Sequence, residues 1–255
     1  MIRGLIFDLG STLIRFNGEW GEVVSNAHFA LVDQLQQEGL QIDGAAVASE
    51  FRRQMEIYYH ERESDFIEVT TAFVLRQVLA NSGHPSVSDE VIRRALERMY
   101  RLTEIHWSPM PGVYQALDEL RPQGYRLGMI SNAGNEANVH RLIDKAGLRA
   151  YFDPILISAE VGLRKPNPAL FEIVLRAWGL RPEETVMIGD TLGADILGAQ
   201  NAGMHQIWLT LDADTPANRA HAGTITPEAT ASTLAELPAL VRSLWGPPAP
   251  PVTDV

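Results

Sequence analysis

The sequence predicts an α/β protein, built on a doubly wound parallel sheet with a helical segment inserted after its first strand. Short, unbroken apolar runs end in small or acidic polar residues, which is typical of strands buried on both faces of a parallel sheet. From about residue 111 to 210 these runs alternate with helical patterns, which indicates right-handed crossovers. Residues 16–106, by contrast, carry amphipathic helical patterns and no comparable strand run.

Five apolar runs are predicted to be the strands of this sheet. Four of them lead directly into small or polar residues, which the end of a strand would present at the edge of the sheet. The runs are 5–7 before Asp8, 127–130 before Ser131-Asn132, 155–157 before Ser158, 186–188 before Gly189-Asp190, and 206–209.

Helical periodicity fills the intervals between the runs. The predicted helices are 113–120 after Pro111-Gly112, 137–146, and 169–178 ending at Gly179, with 23–38, 45–61, 67–81 and 89–104 in the inserted segment. We therefore predict an α/β core of residues 1–15 and 107–245, a helical cap of residues 16–106, and a flexible tail of residues 246–255, which is rich in proline.

Composition excludes several classes of function. The 255 residues carry a net charge of −11, which argues against nucleic-acid or membrane-surface binding because both partners are themselves anionic. The absence of cysteine excludes disulfides, thiolate nucleophiles and iron–sulfur clusters. The N-terminus lacks the pattern of a signal peptide, and no apolar run approaches 18 residues, so we expect a cytoplasmic protein.

Polar side chains cluster at or after the predicted strand ends. They are Asp8, Ser131-Asn132, Lys165, and Asp190 with Asp195. Each alone is explained by an ordinary helix cap, turn or exposed face. Because ligands of open α/β sheets bind at the carboxyl ends of the strands, the four clusters together predict one site there.

The same residues lie in motifs that resemble those of the haloacid dehalogenase-type hydrolase superfamily, most of whose members are magnesium-dependent phosphatases. The motifs are LIFDLGSTL, GMISNA, LRKPNP and MIGDTLGAD, and the last matches the acidic GD-x4-D pattern of the family. The resemblance spans nearly the whole chain. It implies a Rossmann-like core with an inserted α-helical cap, and a hydrolase acting on a small phosphorylated metabolite.

The resemblance also implies roles for the acidic residues. Asp8 would attack phosphorus and form an aspartyl-phosphate, a covalent intermediate known for carboxylates. Mg²⁺, a hard cation that prefers oxygen ligands, would be held by Asp8, the backbone carbonyl of Gly10 and Asp190. Asp195 would act directly or through a bound water.

Three further residues would bind the phosphate by the same resemblance. Ser131 would donate its hydroxyl and Asn132 its backbone N–H to phosphate oxygens. Lys165 would neutralise the nucleophile and the phosphate, a task suited to a compact ammonium group.

Gly10 departs from the pattern of the family, whose first motif is Asp-x-Asp. The second Asp protonates the leaving group and then activates water, and a positioned acid–base of this kind is worth about 10²–10⁴ in rate. Glycine retains the carbonyl ligand but cannot transfer a proton. Glu19, near the first crossing between core and cap, is a candidate replacement. Arg52-Arg53 and Arg93-Arg94 could reach a second anionic group of the substrate, although a solvated helix face is the default interpretation of both pairs.

Two other functions remain open at this point. A metal-independent 2-haloacid dehalogenase would use Asp8 to displace halide from carbon, but that branch typically lacks an intact GD-x4-D motif, so Asp190 and Asp195 count against it. A catalytically weak or inactive family member that binds a phosphorylated ligand is favoured only by Gly10.

Overall fold

The computed structural model describes residues 1–247, without the side chains of residues 60 and 62–65. In chain order the elements are β1 (Gly4–Phe7), β2 (Ile14–Phe16), α1 (Trp20–Gln37), α2 (Gly44–Asp65), α3 (Thr71–Asn81), α4 (Asp89–Glu104), β3 (Trp107–Pro109), α5 (Val113–Leu120), β4 (Arg126–Ser131), α6 (Glu136–Lys145), β5 (Ile155–Ile157), α7 (Ser158–Val161), α8 (Pro168–Trp178), β6 (Thr185–Gly189), α9 (Leu197–Asn201), β7 (His205–Leu209), α10 (Pro216–His221), β8 (Ala229–Ala231) and α11 (Leu237–Trp245). The predicted α/β fold class is confirmed.

The central sheet has six parallel strands in the order β5-β4-β1-β6-β7-β8. The chain runs from β1 outward to β4 and β5, and then returns to the other side of β1 with β6. The strand order therefore reverses beside β1, and ligands of open α/β sheets bind at this point, outside the carboxyl ends of the strands. Asp8 follows β1 and Asp190 follows β6 there.

Helices cover the sheet on both faces, which explains the unbroken apolar runs. Leu5 and Phe7 of β1 belong to an apolar cluster with residues of α5, α6 and α11. Ile6 faces the other side and packs in a cluster with Phe171 and Val174 of α8. All four residues of β1 are buried. Burial of each large apolar side chain contributes about 1.5–3 kcal/mol, so the sheet is a rigid base for the residues at its edge.

The inserted segment folds into α1–α4 around its own apolar cluster. Asp43, Thr70 and Ser88 each begin one of these helices by accepting a hydrogen bond from a backbone N–H of the first turn. The buried members of the cluster include Leu31, Phe51, Leu75, Leu79 and Leu96. This cluster is distinct from those on the sheet, which supports the division into core and cap that we propose.

Two short antiparallel strands, β2 and β3, mark the places where the chain passes between sheet and helical segment. The Phe16 ring makes edge-to-face contacts with Trp20 at 4.8 Å and Trp107 at 5.5 Å between centroids. Asn17 Nδ2 donates to Ser108 Oγ at 2.8 Å. The two crossings are thereby held side by side.

The structure differs from the sequence prediction in a few elements. The predicted helix 67–81 begins only at Thr71, because Thr70 caps it and Ile67 forms a β-bridge with Leu163. Strands β2, β3 and β8 were not predicted, since their sequences, IRF, WSP and ATA, contain no apolar run.

Of the predicted tail, 246–255, only residues 246 and 247 are among the described residues, and the rest of this prediction lies outside them. Within residues 1–247, no helix combines the length and apolar character needed to cross a membrane.

Candidate active site

The predicted site residues meet at the carboxyl edge of β1, β4 and β6. A cavity of about 680 Å³ lies between this edge and helices α1, α2 and α4. The predicted residues that line it are Asp8, Gly10, Ser131, Asn132, Lys165 and Asp195. Asp190 does not line the cavity but lies beside it, with 6% of its surface exposed. The structure thus brings all of the predicted residues to one place.

Lys165 is 2% exposed, although it carries a charge. Its Nζ lies 2.7 Å from Asp8 Oδ1, 2.7 Å from Asp195 Oδ1 and 2.8 Å from the carbonyl oxygen of Ile130. The oxygens of Asp8 and Ile130 accept hydrogen bonds from this ammonium group, and Asp195 forms an ion pair with it. Burial opposes the charged form, but the carboxylates of Asp195 and Asp8 outweigh it and raise the pKa of Lys165. Lys165 is therefore a fixed cation beside Asp8.

The side chain of Asn132 holds the loop that carries this lysine. Asn132 Nδ2 donates to the carbonyl oxygen of Lys165 at 2.9 Å, and Lys165 N donates to Asn132 Oδ1 at 2.9 Å. The amide group of Asn132 is occupied in this way. Because these hydrogen bonds use the side-chain amide, the predicted contact between Asn132 and phosphate would be made by the backbone N–H.

Three carboxylates form a buried acidic cluster next to Lys165. One oxygen each of Asp8, Asp190 and Asp195 lies within 4.8 Å of the others. Burial, together with the charges of Asp8 and Asp195, raises the pKa of Asp190 to about 8. Burial also raises the pKa of Asp8 to about 6, against the opposing effect of Lys165. One lysine does not balance three carboxylates, and a set of hard oxygen donors with excess negative charge fits Mg²⁺.

Asp190 is fixed through both its side chain and its backbone. Thr12 Oγ1, which is fully buried, donates to Asp190 Oδ1 at 3.2 Å. The carbonyl oxygen of Asp190 accepts from Trp208 Nε1 at 2.7 Å and from Asn218 Nδ2 at 2.8 Å. These contacts hold the carboxylate against β1.

Asp195 lies directly over the end of β6. Its Oδ2 accepts a hydrogen bond from Thr191 N at 2.9 Å. A Cβ atom at Gly189 would lie 2.3 Å from Oδ2 of this carboxylate, so only glycine fits below it. The glycine of the GD-x4-D motif is thereby explained by close packing. Asp195 Oδ1 forms an ion pair with Lys165 Nζ but accepts no hydrogen bond within residues 1–247, so this buried oxygen is available to Mg²⁺ or to a bound water.

Gly10 leaves open space at the position where the family has its second Asp. The nearest atoms to a Cβ built there are ring carbons of Trp107 at 3.8 and 4.0 Å. Glu19, the candidate replacement, is an exposed residue that precedes α1 and does not line the cavity. That interpretation of Glu19 was therefore wrong.

Residues of the helical segment also line the cavity, among them His28, for which no role was predicted, and Arg52. His28 of α1 is 7% exposed, and its Nδ1 has no hydrogen-bond partner among residues 1–247. Burial, and then the charge of Arg52, lower the pKa of His28 to about 4, so this imidazole is neutral at pH 7. Arg52 lines the cavity and donates to Ser25 Oγ at 3.1 Å, whereas Arg53 pairs with Glu50 away from it.

Comparison with known proteins defines the class of this molecule. The family model described as haloacid dehalogenase-like hydrolase matches residues 2–203. This span contains all four motifs and every predicted site residue. The chain belongs to the haloacid dehalogenase-like hydrolases, and the prediction that it is an enzyme of this hydrolase family is confirmed.

Two curated relatives share one name, and a solved structure carries another. The glyceraldehyde 3-phosphate phosphatase of Methanothermobacter thermautotrophicus is 42% identical over 113 residues, which span 44% of this chain and 49% of that protein. The glyceraldehyde 3-phosphate phosphatase of Methanopyrus kandleri is 30% identical over 210 residues, or 80% of this chain and 82% of that protein. A solved 2-haloacid dehalogenase from Pseudomonas syringae pv. Tomato DC3000 is 24% identical, with a TM-score of 0.65 over 95% of this chain and 99% of that chain. This last likeness shows the fold alone.

Proposed function

We propose that the chain is a magnesium-dependent phosphatase that hydrolyses a small phosphorylated metabolite through an aspartyl-phosphate on Asp8. The observation that carries the proposal is the position of Asp8, held against Lys165 inside the buried cluster with Asp190 and Asp195. A phosphate dianion approaches a carboxylate only where positive charge offsets the repulsion. A metal-independent dehalogenase has no metal to hold, so the two additional buried carboxylates favour the phosphatase.

The buried oxygen donors of the cluster support a Mg²⁺ site. Asp8, Asp190 and the backbone carbonyl of Gly10 would hold it, with Asp195 acting directly or through water. When bound, the ion supplies positive charge that offsets the repulsion between the nucleophile and the phosphate. Burial is the main cause of the raised pKa values of Asp8 and Asp190, and the neighbouring carboxylates add to it, so a bound cation would favour the ionised forms of both.

The residues of the chain divide the reaction between them. Asp8 attacks phosphorus, and the bond from phosphorus to the leaving-group oxygen breaks while the Ser131 hydroxyl and the Asn132 N–H bind phosphoryl oxygens. The leaving oxygen takes its proton from water in the cavity, because Gly10 offers none. Water then hydrolyses the aspartyl-phosphate to release phosphate and restore Asp8. We therefore expect the enzyme to favour substrates with good leaving groups.

The relatives supply a first compound to test. Glyceraldehyde 3-phosphate is the substrate in the names of two of them. As an alkyl phosphate it has a poor leaving group, so with Gly10 in place we expect slower turnover of it than of substrates with good leaving groups. A phosphorylated triose is small enough for the cavity of about 680 Å³ beside Asp8. Phosphorylated metabolites are charged and do not cross membranes unaided, so an enzyme that acts on them is expected where they are made. We therefore include a cytoplasmic location in this proposal.

Phosphate release from a panel of phosphomonoesters, with Mg²⁺ or with EDTA, tests the proposal. Wild type should release phosphate only with Mg²⁺, and Asp8→Asn and Asp190→Asn should abolish release. Asp33→Asn, which changes an exposed carboxylate of α1, is the matched control and should retain full activity.

Two results would contradict the proposal. Metal-independent halide release from a 2-haloacid, unchanged in Asp190→Asn, would support the dehalogenase. Tight phosphate binding without turnover of any phosphomonoester would support a binding protein.

A further inference from the structure

A short segment between α2 and α3, residues 66–70, leaves the helical cluster and lies against the sheet half of the molecule. Arg164 N donates to the carbonyl oxygen of Phe66 at 3.0 Å, and Glu68 N donates to that of Gly162 at 3.1 Å. We call residues 66–70 the strap. It attaches the helical segment to the core a third time, in addition to the two chain crossings at β2 and β3.

The end of the strap requires a very close approach of two backbones. Thr71 N donates to the carbonyl oxygen of Gly134 at 2.8 Å. A Cβ atom at Gly134 would lie 2.9 Å from Thr71 Oγ1 and 3.3 Å from the carbonyl oxygen of Val69. The glycine therefore allows the strap to seat against the loop that follows β4.

Glu68 carries the polar contacts of the strap. Its carboxylate is 6% exposed and accepts hydrogen bonds from Ser158 Oγ at 2.7 Å and from the hydroxyl of Tyr58. Arg164 Nη1 lies 3.5 Å from Glu68 Oε2 and donates to the Tyr58 hydroxyl oxygen at 3.1 Å. A carboxylate this deeply buried is stable only with such partners.

Through Ser158 the carboxylate of Glu68 reaches the loop after β4. Ser158 Oγ accepts a hydrogen bond from Ala133 N at 2.8 Å. A hydroxyl has one proton, so donation of that proton to Glu68 leaves an oxygen lone pair directed to Ala133. Ala133 follows Ser131-Asn132, which we propose bind phosphate.

Through Arg164 the same carboxylate reaches the loop before α8. Arg164 immediately precedes Lys165, the cation beside the nucleophile. The partners of Glu68 thus fix the two loops that carry the proposed phosphate-binding residues, although Glu68 itself belongs to the helical segment.

We infer that Glu68 is a positioning residue that completes the phosphate site when the cap is seated. Its carboxylate holds the loops at residues 131–133 and 162–165 at the spacing that binds a phosphoryl group. When the cap opens, the strap leaves and both loops lose their common anchor, so phosphate binds less tightly in the open form. Opening is thereby coupled to product release. The identity of the ligand rests on the proposed function.

Inorganic phosphate in the presence of Mg²⁺ is the probe that tests this inference. Its affinity is measured by calorimetry for Glu68→Gln, Ser158→Ala and the double variant, each as the full chain. Each single variant should weaken phosphate binding about 10-fold, the effect of losing one hydrogen bond to a charged group. The double variant should bind no more weakly than the worse single variant, because both residues act through one chain of contacts.

Glu97→Gln is the matched control. It removes a carboxylate that pairs with Arg93 and Arg101 within α4, and phosphate affinity should be unchanged. A Glu68→Gln variant that loses thermal stability but keeps wild-type phosphate affinity would overturn the inference. So would fully additive effects in the double variant.

A second measurement requires neither substrate nor phosphate. Hydrogen exchange of the Ala133 amide should be faster in Glu68→Gln than in wild type, because its acceptor, Ser158 Oγ, is no longer oriented. Unchanged exchange at this amide would overturn the inference even for a protein that hydrolyses no phosphomonoester. Failure of the proposed function and failure of the positioning role are thus distinguished.

Discussion

At the scale of single residues, the space beside Gly10 is the feature with the clearest chemical consequence. The nucleophile has its cation, yet the position from which a carboxylic acid would serve the leaving group is empty. Among the described residues beyond its chain neighbours, the atoms within 4 Å of a Cβ built at Gly10 are two ring carbons of Trp107, at 3.8 and 4.0 Å. Under the proposed function, we therefore expect the site to form the aspartyl-phosphate from reactive substrates and to expel an alkoxide poorly.

Gly10→Asp should raise kcat on alkyl phosphates by about 10²-fold or more, the usual contribution of a positioned acid–base. The gain on p-nitrophenyl phosphate should be much smaller, because its leaving group needs no proton. Gly10→Asn has nearly the same shape and cannot transfer a proton, so it is the control. The measurement is steady-state phosphate release by wild type and both variants. Equal rates for Gly10→Asp and Gly10→Asn would show that the site does not lack a proton donor.

Arg52 and Arg53 are neighbours in sequence with different surroundings. Arg52→Ala should raise KM for phosphomonoesters whose leaving group extends to the cap, by about 10-fold for one lost charged hydrogen bond. Arg53→Ala should leave KM unchanged, since its guanidinium pairs with Glu50. Comparison of a short and a long substrate checks this, and an equal effect of both variants would contradict it.

The core residues of the site could be predicted from sequence, and the cap residues could not. Asp8, Ser131 and Asp190 lie at or just after strand ends, and the ends of parallel strands meet at one edge whatever the surrounding packing. Glu68, by contrast, contacts Ser158 and Arg164 only because the helical segment folds back onto the core, and His28 lies among helices of its own segment, against Phe51. Nothing in the amphipathic pattern of α1 distinguishes a residue facing the cavity from one facing a neighbouring helix.

At the scale of elements, helix α10 fixes the loop that follows β6, and this loop carries two carboxylates of the acidic cluster. Asn218 of α10 is 3% exposed and binds three backbone groups: the carbonyl oxygens of Asp190 and Ala213, and Leu192 N. A short helix far along the chain thus fixes the loop that carries two of the carboxylates.

Asn218→Ala should lower the free energy of unfolding by about 2–4 kcal/mol, because it leaves buried backbone groups without partners. It should also weaken Mg²⁺ binding, since Asp190 loses one of its backbone contacts. Urea unfolding and calorimetric titration with Mg²⁺ measure the two effects. Gln200→Ala, which removes one exposed hydrogen bond to Thr226, is the control and should cost less than about 0.5 kcal/mol. Unchanged stability of Asn218→Ala would contradict the role.

Among the elements, the buried strands were the most predictable. The predicted runs correspond to β1, β4, β5, β6 and β7, because burial on both faces demands continuous apolar residues. Strands β2 and β3 exist because two chain crossings lie side by side, and that proximity has no local sequence signal. The start of α3 was misplaced for a related reason, since residues 66–70 take their shape from the core.

At the scale of the whole molecule, the acidic cluster links stability to pH and to metal. The usual carboxyl pKa of 3.8 rises to about 6 for Asp8 and to about 8 for Asp190. Between about pH 4 and pH 8 the native protein therefore holds protons that the unfolded chain has released. These two groups contribute stability at low pH, and this contribution is lost as pH rises through the native pKa values.

Asp190→Asn should therefore melt above wild type in EDTA, and the difference should grow by a few degrees as pH approaches 8. Stabilisation of wild type by Mg²⁺ should increase over the same range, because ligands must be deprotonated to bind metal. Thermal melts with EDTA and with saturating Mg²⁺ across pH check both statements. A constant difference between the two proteins at every pH would show that Asp190 is already ionised.

The strap also limits how this enzyme can be recombined with its relatives. A chimera that replaced residues 20–104 with the helices of another family member would keep both crossings intact. Ser158 and Arg164 would lose their buried carboxylate partner unless the new helices carried one at the position of Glu68. If the inference about Glu68 holds, we expect a transplanted cap to work only when it supplies that carboxylate or when the groups at Gly134, Ser158 and Arg164 are exchanged with it. In directed evolution, the cap and core of this chain would then have to be changed together.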